Sequence, residues 1–232
     1  MSDPGTPGAP GSAAAAGLGD QRLARFSGGE RWVHRTLGVL MLVCMVSAAF
    51  LYLDVLSAAV GRREFISTVH FVSGLLLPVP LVVGALISPA FRADVRRLNR
   101  FIPADWRWLR SSALGRRGLL IGKFNAGQKL NSSFVLGSVL LLLATGLMLR
   151  YFGAFADSTR TGATFVHDVV SLALIAVSIG HLGKAWADPE ARVGMRTGTV
   201  SPDWAREEHP LWAAELERQR AGSSGASGQE QG

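Results

Sequence analysis

The 232-residue sequence has a single cysteine, Cys44, and only 18% of its residues are charged. One cysteine excludes a disulfide framework, and it excludes an iron–sulfur cluster held by this chain alone. Acidic residues are also scarce, because 17 Asp and Glu stand against 24 Lys and Arg, giving a net charge of +7. The basic residues flank apolar stretches, so we expect a membrane and no nucleic acid as the partner.

Four stretches of the chain are almost free of charge, and the mean hydropathy is +0.25. The stretches are 36–53, 65–91, 130–149 and 161–183. Each is long enough to cross a hydrocarbon core of ~30 Å as a helix. This excludes an ordinary soluble enzyme and predicts an all-α integral membrane protein, a four-transmembrane-helix bundle in which Pro78 and Pro80 kink the second span. The predicted spans are 33–56, 65–90, 130–151 and 162–185.

The two ends of the chain differ in composition from the middle. Residues 1–21 are rich in Pro, Gly and Ala and have no basic segment before an apolar core, so we expect a disordered arm and not a signal peptide. Residues 217–232 predict a disordered tail for the same reason, which leaves 22–216 as the membrane domain. Within it, Ser201 and Pro202 are typical of a helix start and predict a C-terminal cytoplasmic surface helix that includes His209.

The positive charges predict the orientation of the bundle. Of the 24 Lys and Arg, 20 precede the first span, connect the second to the third, or follow the fourth. With an even number of spans these three regions share one side, which the positive-inside rule assigns to the cytoplasm. We therefore expect a multi-pass protein of the cell (inner or plasma) membrane, with both termini cytoplasmic.

Four of the five histidines lie in or beside the predicted spans: His34, His70, His167 and His181. His167 and His181 are 14 residues apart on the fourth span, which places both on nearly the same helix face, about 21 Å apart along the axis. The direction of each span then matches the histidines by depth. His34 pairs with His181 in the inner half of the bilayer, and His70 pairs with His167 in the outer half.

Haem is the ligand that suits two stacked histidine pairs between helices. Haem iron takes axial side chains from both faces, and helical bundles commonly hold such sites in their cores. The sequence has no C-x-x-C-H motif, so two non-covalent b-type haems are expected. Zinc does not suit the pairs, because each lacks the further ligands of a four-coordinate site. The alternative is a proton relay or polar contact between helices.

Other residues near the histidines allow two interpretations each. Gly38 and Gly74 follow ligands by one turn and would leave room for a macrocycle, or they would permit close helix packing. Arg31 and Arg35 would pair with haem propionates, or they would be ordinary cytoplasmic-side charges.

A polar segment, GKFNAGQK at 122–129, precedes the third span. Asn125 and Gln128 carry amides that donate and accept hydrogen bonds, and Gly127 leaves backbone accessible. At the cytoplasmic end of the bundle, level with His181, these groups suit the carbonyls of a quinone. The alternative is a helix start anchored at the interface by lysines.

The chain resembles the cytochrome b (gamma) subunit of respiratory membrane-bound formate dehydrogenase. The resemblance covers roughly 25–215 and rests on ERWVHR before the first span, the histidine early in the second, GKFNAGQK, the two histidines of the fourth, and the tail VSPDWAREEHPLW. It implies that the histidines ligate two b haems in the pairs given above. It also implies that Asn125, Gly127 and His181, with Gln128 of the same motif, contact a menaquinone or other quinone.

The same resemblance implies a function and partners. An iron–sulfur (beta) subunit would reduce the outer haem, the inner haem would pass electrons to quinone, and a molybdopterin (alpha) subunit would oxidise formate. The chain would therefore be an electron-transfer subunit that does not itself oxidise formate. Two alternatives remain: a cytochrome b subunit of a hydrogenase or another molybdenum oxidoreductase, and a haem-free membrane anchor or transporter. Arg35 and the Glu208–His209 pair depart from the usual motif, which has a bulky aromatic and two adjacent histidines there.

Overall fold

The computed structural model describes residues 21–112 and 119–229. The arm predicted for 1–21 lies outside them except for its last residue, as do the final three residues of the predicted tail. The described residues form eleven α-helices, a 3₁₀ turn and a two-stranded ribbon. These are β1 (Leu23–Ala24), α1 (Gly28–Tyr52), α2 (Asp54–Val60), α3 (Arg63–Leu76), α4 (Pro78–Ile87), α5 (Pro89–Asn99), α6 (Pro103–Ser112), α7 (Ala126–Arg150), the turn (Phe152–Ala154), α8 (Asp157–Ala187), α9 (Pro189–Thr197), β2 (Thr199–Val200), α10 (Pro202–Glu208) and α11 (Pro210–Gln229).

Four helical segments are long and apolar enough to cross a membrane, as the sequence predicts: α1, α3 with α4, α7 and α8. The second is interrupted at Leu77, directly before Pro78, where a proline cannot donate to the preceding turn. The first begins at Gly28, five residues before the predicted span, because Ser27 and Glu30 form a capping box. It ends at Tyr52, where Leu53 turns to extended backbone.

The spans pack as two antiparallel pairs. Helix α1 packs along α3 and α7 packs along α8, whereas α1 and α8 approach each other far less closely. Large apolar side chains point away from both pairs; Leu86 is 74% exposed and Leu172 is 70% exposed. Outward apolar side chains on helices that satisfy their own backbone suit a lipid environment. The weaker contact between the two pairs leaves the space in which the histidines meet.

Helices α5, α6, α9, α10 and α11 gather at the end of the bundle where α1 and α7 begin and α8 ends, here called the basic end. Three of them start in the same way, with a side-chain cap followed by proline: Ser88 before α5, Asp188 before α9 and Ser201 before α10. The predicted start at Ser201 is thus confirmed. The helix stops at Glu208, however, and a separate helix α11 extends into the range for which the composition predicts a disordered tail.

Strands β1 and β2 join the segment before α1 to the segment after α9 at the basic end. Leu23 pairs with Val200 in an antiparallel ribbon, and both side chains are buried together with Trp212. Gly198 precedes β2 with φ +92, and its carbonyl accepts hydrogen bonds from the backbone N–H groups of Arg25 and Phe26. An added Cβ at Gly198 would also come within 2.5 Å of the Phe26 carbonyl, so only glycine suits this turn.

Candidate functional site

The four membrane histidines form two facing pairs. The ring centres of His34 on α1 and His181 on α8 lie 6.1 Å apart, with the planes inclined by 52°. The ring centres of His70 on α3 and His167 on α8 lie 6.4 Å apart, inclined by 67°. The structure therefore brings together the same partners that depth in the bilayer predicts. Each pair spans the gap between the α1–α3 and α7–α8 halves of the bundle.

Hydrogen bonds orient the His70 ring. Its Nδ1 lies 3.1 Å from the Cys44 carbonyl and 3.0 Å from the Ser47 hydroxyl. The Ser47 hydroxyl donates its own proton within α1, to the Val43 carbonyl at 2.6 Å, and is left as an acceptor. Both neighbours of Nδ1 are thus acceptors, so Nδ1 carries the proton and the lone pair is on Nε2.

A hydroxyl group on α7 orients the His167 ring in the same way. Its Nδ1 lies 2.9 Å from the Thr145 hydroxyl, which donates to the Leu141 carbonyl at 2.8 Å. Nδ1 therefore donates here too, and Nε2 has the lone pair. An imidazole that donates its second N–H to an oxygen is the usual arrangement of a metal-ligating histidine.

The spacing of the rings suits a metal ion between them. Two imidazole nitrogens that each lie about 2 Å from a metal ion have ring centres about 6 Å apart. Among the residues that the structure describes, no three His, Cys, Asp or Glu side chains are grouped as a metal site. Two ligands from the protein leave the remaining positions to a macrocycle, so the donor set fits haem and does not fit a protein-only metal centre.

Two of the open interpretations concern residues beside the pairs. An added Cβ at Gly38 or Gly74 would meet nothing within 4 Å, so neither glycine is required for close helix packing. Arg31 and Arg35 both donate to the Arg196 carbonyl, at 2.6 and 2.9 Å, near the end of α9. These arginines stabilise a helix C-terminus at the basic end.

The amides of the polar segment form the start of α7. The Asn125 side-chain oxygen accepts from the Gln128 backbone N–H at 2.8 Å, and the Gln128 oxygen accepts from the Asn125 N–H at 2.9 Å. This capping box uses both side-chain oxygens and leaves both NH₂ groups as donors. Gly127 lies against Trp108, because an added Cβ would be 3.0 Å from the indole ring. The space beside this glycine is therefore filled by tryptophan.

Both lysines of the segment are in buried ion pairs. Lys129 Nζ lies 2.6 Å from Asp105 Oδ2, with each side chain only 7% exposed. Lys123 Nζ lies 2.5 Å from Asp94 Oδ2 and 3.5 Å from Glu30 Oε1. Burial first, and then the neighbouring Glu30, raise the pKa of Asp94 to about 7, although Lys123 opposes them. Both lysines therefore bind carboxylates inside the protein, and their ammonium groups are not free to anchor the segment at the membrane interface.

His209 is buried, which corrects its placement on a surface helix. It is 3% exposed and follows the last residue of α10. Its Nδ1 donates to the Gly122 carbonyl at 2.7 Å, and its Nε2 accepts from Arg25 at 3.0 Å. Burial, and secondarily the Arg25 cation, lower the pKa of His209 to about 3. The ring is therefore neutral and joins the last helices to the polar segment.

The sequence alone gives no sign that Arg25 is buried or that it contacts His209. The residue is 6% exposed, and its guanidinium lies over the rings of Trp204 at 4.5 Å and Trp212 at 5.4 Å. It also donates to the Lys123 carbonyl at 3.0 Å. The only sequence signal is the group of two tryptophans around His209 in the tail, which gives no hint of a partner so far away in the chain.

Four membrane-crossing helices that present two facing histidine pairs define a class of protein, the membrane-embedded b-type cytochromes. A model of the prokaryotic cytochrome b561 family matches residues 25–189. The chain belongs to this family, which implies that it binds b-type haem in a membrane.

The chain is also similar, over less than half of its length, to two curated cytochrome subunits. The chain is 31% identical over 104 residues to the cytochrome b556(Fdn) subunit of the nitrate-inducible formate dehydrogenase of Escherichia coli strain K12, covering 44% of this chain and 48% of that protein. It is 30% identical over 100 residues to the cytochrome b556(fdo) subunit of formate dehydrogenase from the same strain, covering 42% and 47%. The matched segment thus spans about half the length of these curated relatives.

Proposed function

We propose that this chain is the di-haem cytochrome b membrane-anchor subunit of a formate dehydrogenase complex. Family membership supports a cytochrome b, and the similarity to two formate dehydrogenase subunits favours formate as the electron source of the complex. The chain would associate with an iron–sulfur subunit and a molybdopterin-containing catalytic subunit, because its single cysteine cannot hold a cluster.

The observation that carries the proposal is the pair of facing histidine couples. His34 and His181 would hold an inner b haem, and His70 and His167 an outer one. When bound, the haems would supply one-electron transfer across the bilayer, from the iron–sulfur partner to quinone. The distance between the two haem sites follows from α8, because His167 and His181 are 14 positions apart and a helix of that length rises by about 21 Å.

The quinone site would lie at the basic end, beside the start of α7. The NH₂ groups of Asn125 and Gln128 would donate to a quinone carbonyl, since their oxygens are used in the capping box. Gly127 leaves room for the Trp108 ring beside them, because an added Cβ would lie 3.0 Å from it. His181 would contact the same ligand while holding the inner haem. With the basic end in the cytoplasm, both termini are cytoplasmic and quinone protons come from that side.

A haem stoichiometry measurement tests this proposal. The purified chain should show a b-type reduced-minus-oxidised spectrum with two haems per chain. The substitution His70→Ala should remove one haem and leave the other, because only the outer pair loses a ligand. His209→Gln is the matched control; it changes the fifth histidine and should keep both haems. A haem-free chain would contradict the proposal and favour a simple membrane anchor or transporter.

A second candidate shares the haem sites and differs in the partner. A cytochrome b subunit of a hydrogenase or of another molybdenum oxidoreductase also fits the family match. Formate-driven quinone reduction in membranes, together with the identity of the co-purifying subunits, separates the two. Quinone reduction by hydrogen but not by formate would favour this second candidate.

A further inference from the structure

Three ionisable side chains from three segments are buried together at the basic end. Glu30 comes from the first turn of α1, Asp94 from α5, and Lys123 from the segment before α7. Their side chains are 8%, 9% and 12% exposed, and Lys123 Nζ lies within 3.5 Å of both carboxylates. Charged groups are rarely buried to this degree unless they are paired.

Within the described part of the chain, this cluster has two carboxylates but only one ammonium group within ion-pair distance of them. Lys123 can neutralise only one of the two carboxylates. Glu30 Oε2 accepts from the Ser27 backbone N–H at 2.6 Å, but Glu30 Oε1 is buried with no hydrogen-bond donor. Glu30 and Asp94 contact the same ammonium group, and two carboxylates so close together repel each other unless one of them carries a proton.

The electrostatic surroundings place that proton on Asp94 near neutrality. Burial and the facing Glu30 raise the pKa of Asp94 to about 7 against the attraction of Lys123. Two further cations face Asp94: Arg97 from its own helix and Arg25 from the segment before α1. Both attract the ionised form of Asp94, but Lys123 is the cation that forms an ion pair with it. The cluster is therefore able to hold and release one proton in the physiological range.

The position of the cluster relates it to the proposed quinone site. Glu30 precedes His34 by four residues, so it lies on nearly the same face of α1, about 6 Å nearer the basic end. Lys123 precedes Asn125 by two residues and contacts the rings of Phe26 and Phe124. The two carboxyl groups thus contact a residue only two positions before Asn125, the cap of α7.

We propose that Glu30 and Asp94 share a proton and deliver it to a quinone bound at Asn125 and Gln128. This rests on the proposed function. Reduction of one quinone to quinol consumes two electrons, which the inner haem supplies, and two protons. In each transfer the O–H bond of Asp94 breaks and an O–H bond to a quinone oxygen forms. Lys123 stabilises the carboxylate that remains until a hydronium ion from the solvent at the basic end reprotonates it and leaves water.

The substitution Asp94→Asn in the complete complex tests this role. It keeps the shape and hydrogen bonds of the side chain but cannot release a proton. The haem content and the rate of haem reduction by the electron donor should stay unchanged, while quinol formation falls by about 10²-fold. In the wild-type complex quinol formation should decline as pH rises through about 7, because Asp94 loses its proton there. The variant should lack this inflexion.

A matched control separates proton delivery from a structural role. Asp105→Asn breaks the other buried lysine pair of the same segment, and it should keep the pH profile of quinol formation. A readout independent of turnover is the infrared carbonyl band of a protonated carboxyl in the oxidised protein. This band should titrate near pH 7 in the wild-type protein and be missing in Asp94→Asn.

The outcomes distinguish the two proposals. An Asp94→Asn complex with the wild-type rate and pH profile would overturn the proton-delivery role, and so would an equal change of pH profile in Asp105→Asn. A wild-type complex that binds no haem or forms no quinol would instead contradict the proposed function, and this proposal with it.

Discussion

The Thr145 hydroxyl on α7 lies 2.9 Å from Nδ1 of His167 on α8. Because the hydroxyl proton is already given to the Leu141 carbonyl, the threonine accepts from the histidine. The bond fixes the tautomer and the direction of the ring by contacts within the protein. Ser47 does the same for His70 from α1, so both rings of the outer pair are oriented from a neighbouring helix.

Removing this acceptor should weaken the outer haem site. Thr145→Val keeps the β-branched shape but leaves Nδ1–H without a partner, so the ligand becomes less basic. We expect outer-haem affinity to fall by about 10–100-fold and its midpoint potential to rise, with the inner haem unchanged. Redox titration of the two haems measures both effects. Thr164→Val, which removes a similar hydroxyl bond on α8 without touching a histidine, should change neither.

Two substitutions at Asn125 separate its capping role from its proposed role toward quinone. Asn125→Ser keeps an oxygen that caps α7 but removes the NH₂ donor, whereas Asn125→Ala removes both. The alanine variant should lose about 1 kcal/mol of stability and the serine variant little. Both should slow quinone reduction while both haems still become reduced. A serine variant with the wild-type quinone rate would show that the cap alone matters.

The buried His209 should make stability dependent on pH. Burial and Arg25 lower its pKa from 6.5 to about 3. Between these values the unfolded chain binds a proton that the folded chain excludes, so stability is complete above pH 6.5 and decreases as pH falls. The slope is at most about 1.4 kcal/mol per pH unit. Thermal unfolding in detergent should therefore show a shallower acid decline for His209→Gln. Parallel curves for the two proteins would contradict this.

The orientation of the bundle can be checked with introduced cysteines. Asp157 begins α8 at the end opposite the basic end, and Asp203 lies in α10 at the basic end; both side chains are 95% exposed. In a Cys44→Ser background, a membrane-impermeant maleimide should label Asp157→Cys in intact cells and label Asp203→Cys only after cell lysis. The reverse pattern would invert the topology.

The sequence predicts the parts of this structure that depend on local periodicity. Apolar length identifies the four spans, and the spacing and direction of the helices predict which histidines face each other. Span boundaries were less accurate at Gly28, because charged residues at the start of α1 lower the local hydropathy although Ser27 and Glu30 form a capping box.

The rest depends on contacts between distant segments. The buried cluster at Arg25 and His209 joins residues 184 positions apart, and the pair of Asp94 and Lys123 joins residues 29 apart. A charged residue in a hydrophilic stretch is normally solvated, so hydropathy alone gives no reason to bury one. The pairs of carboxylates and cations that are buried together can be identified only from the folded structure.

The ribbon at the basic end can form only late in the synthesis of the chain. The Arg22 side chain donates to Thr199, 177 positions later, and β1 has no strand to pair with until β2 has been made. At about 5–20 residues per second, that delay is roughly 10–35 s. All four spans are complete before the ribbon can close. His181 is made 18 residues before Thr199, so the inner histidine pair is complete only about 1–4 s before the ribbon can close.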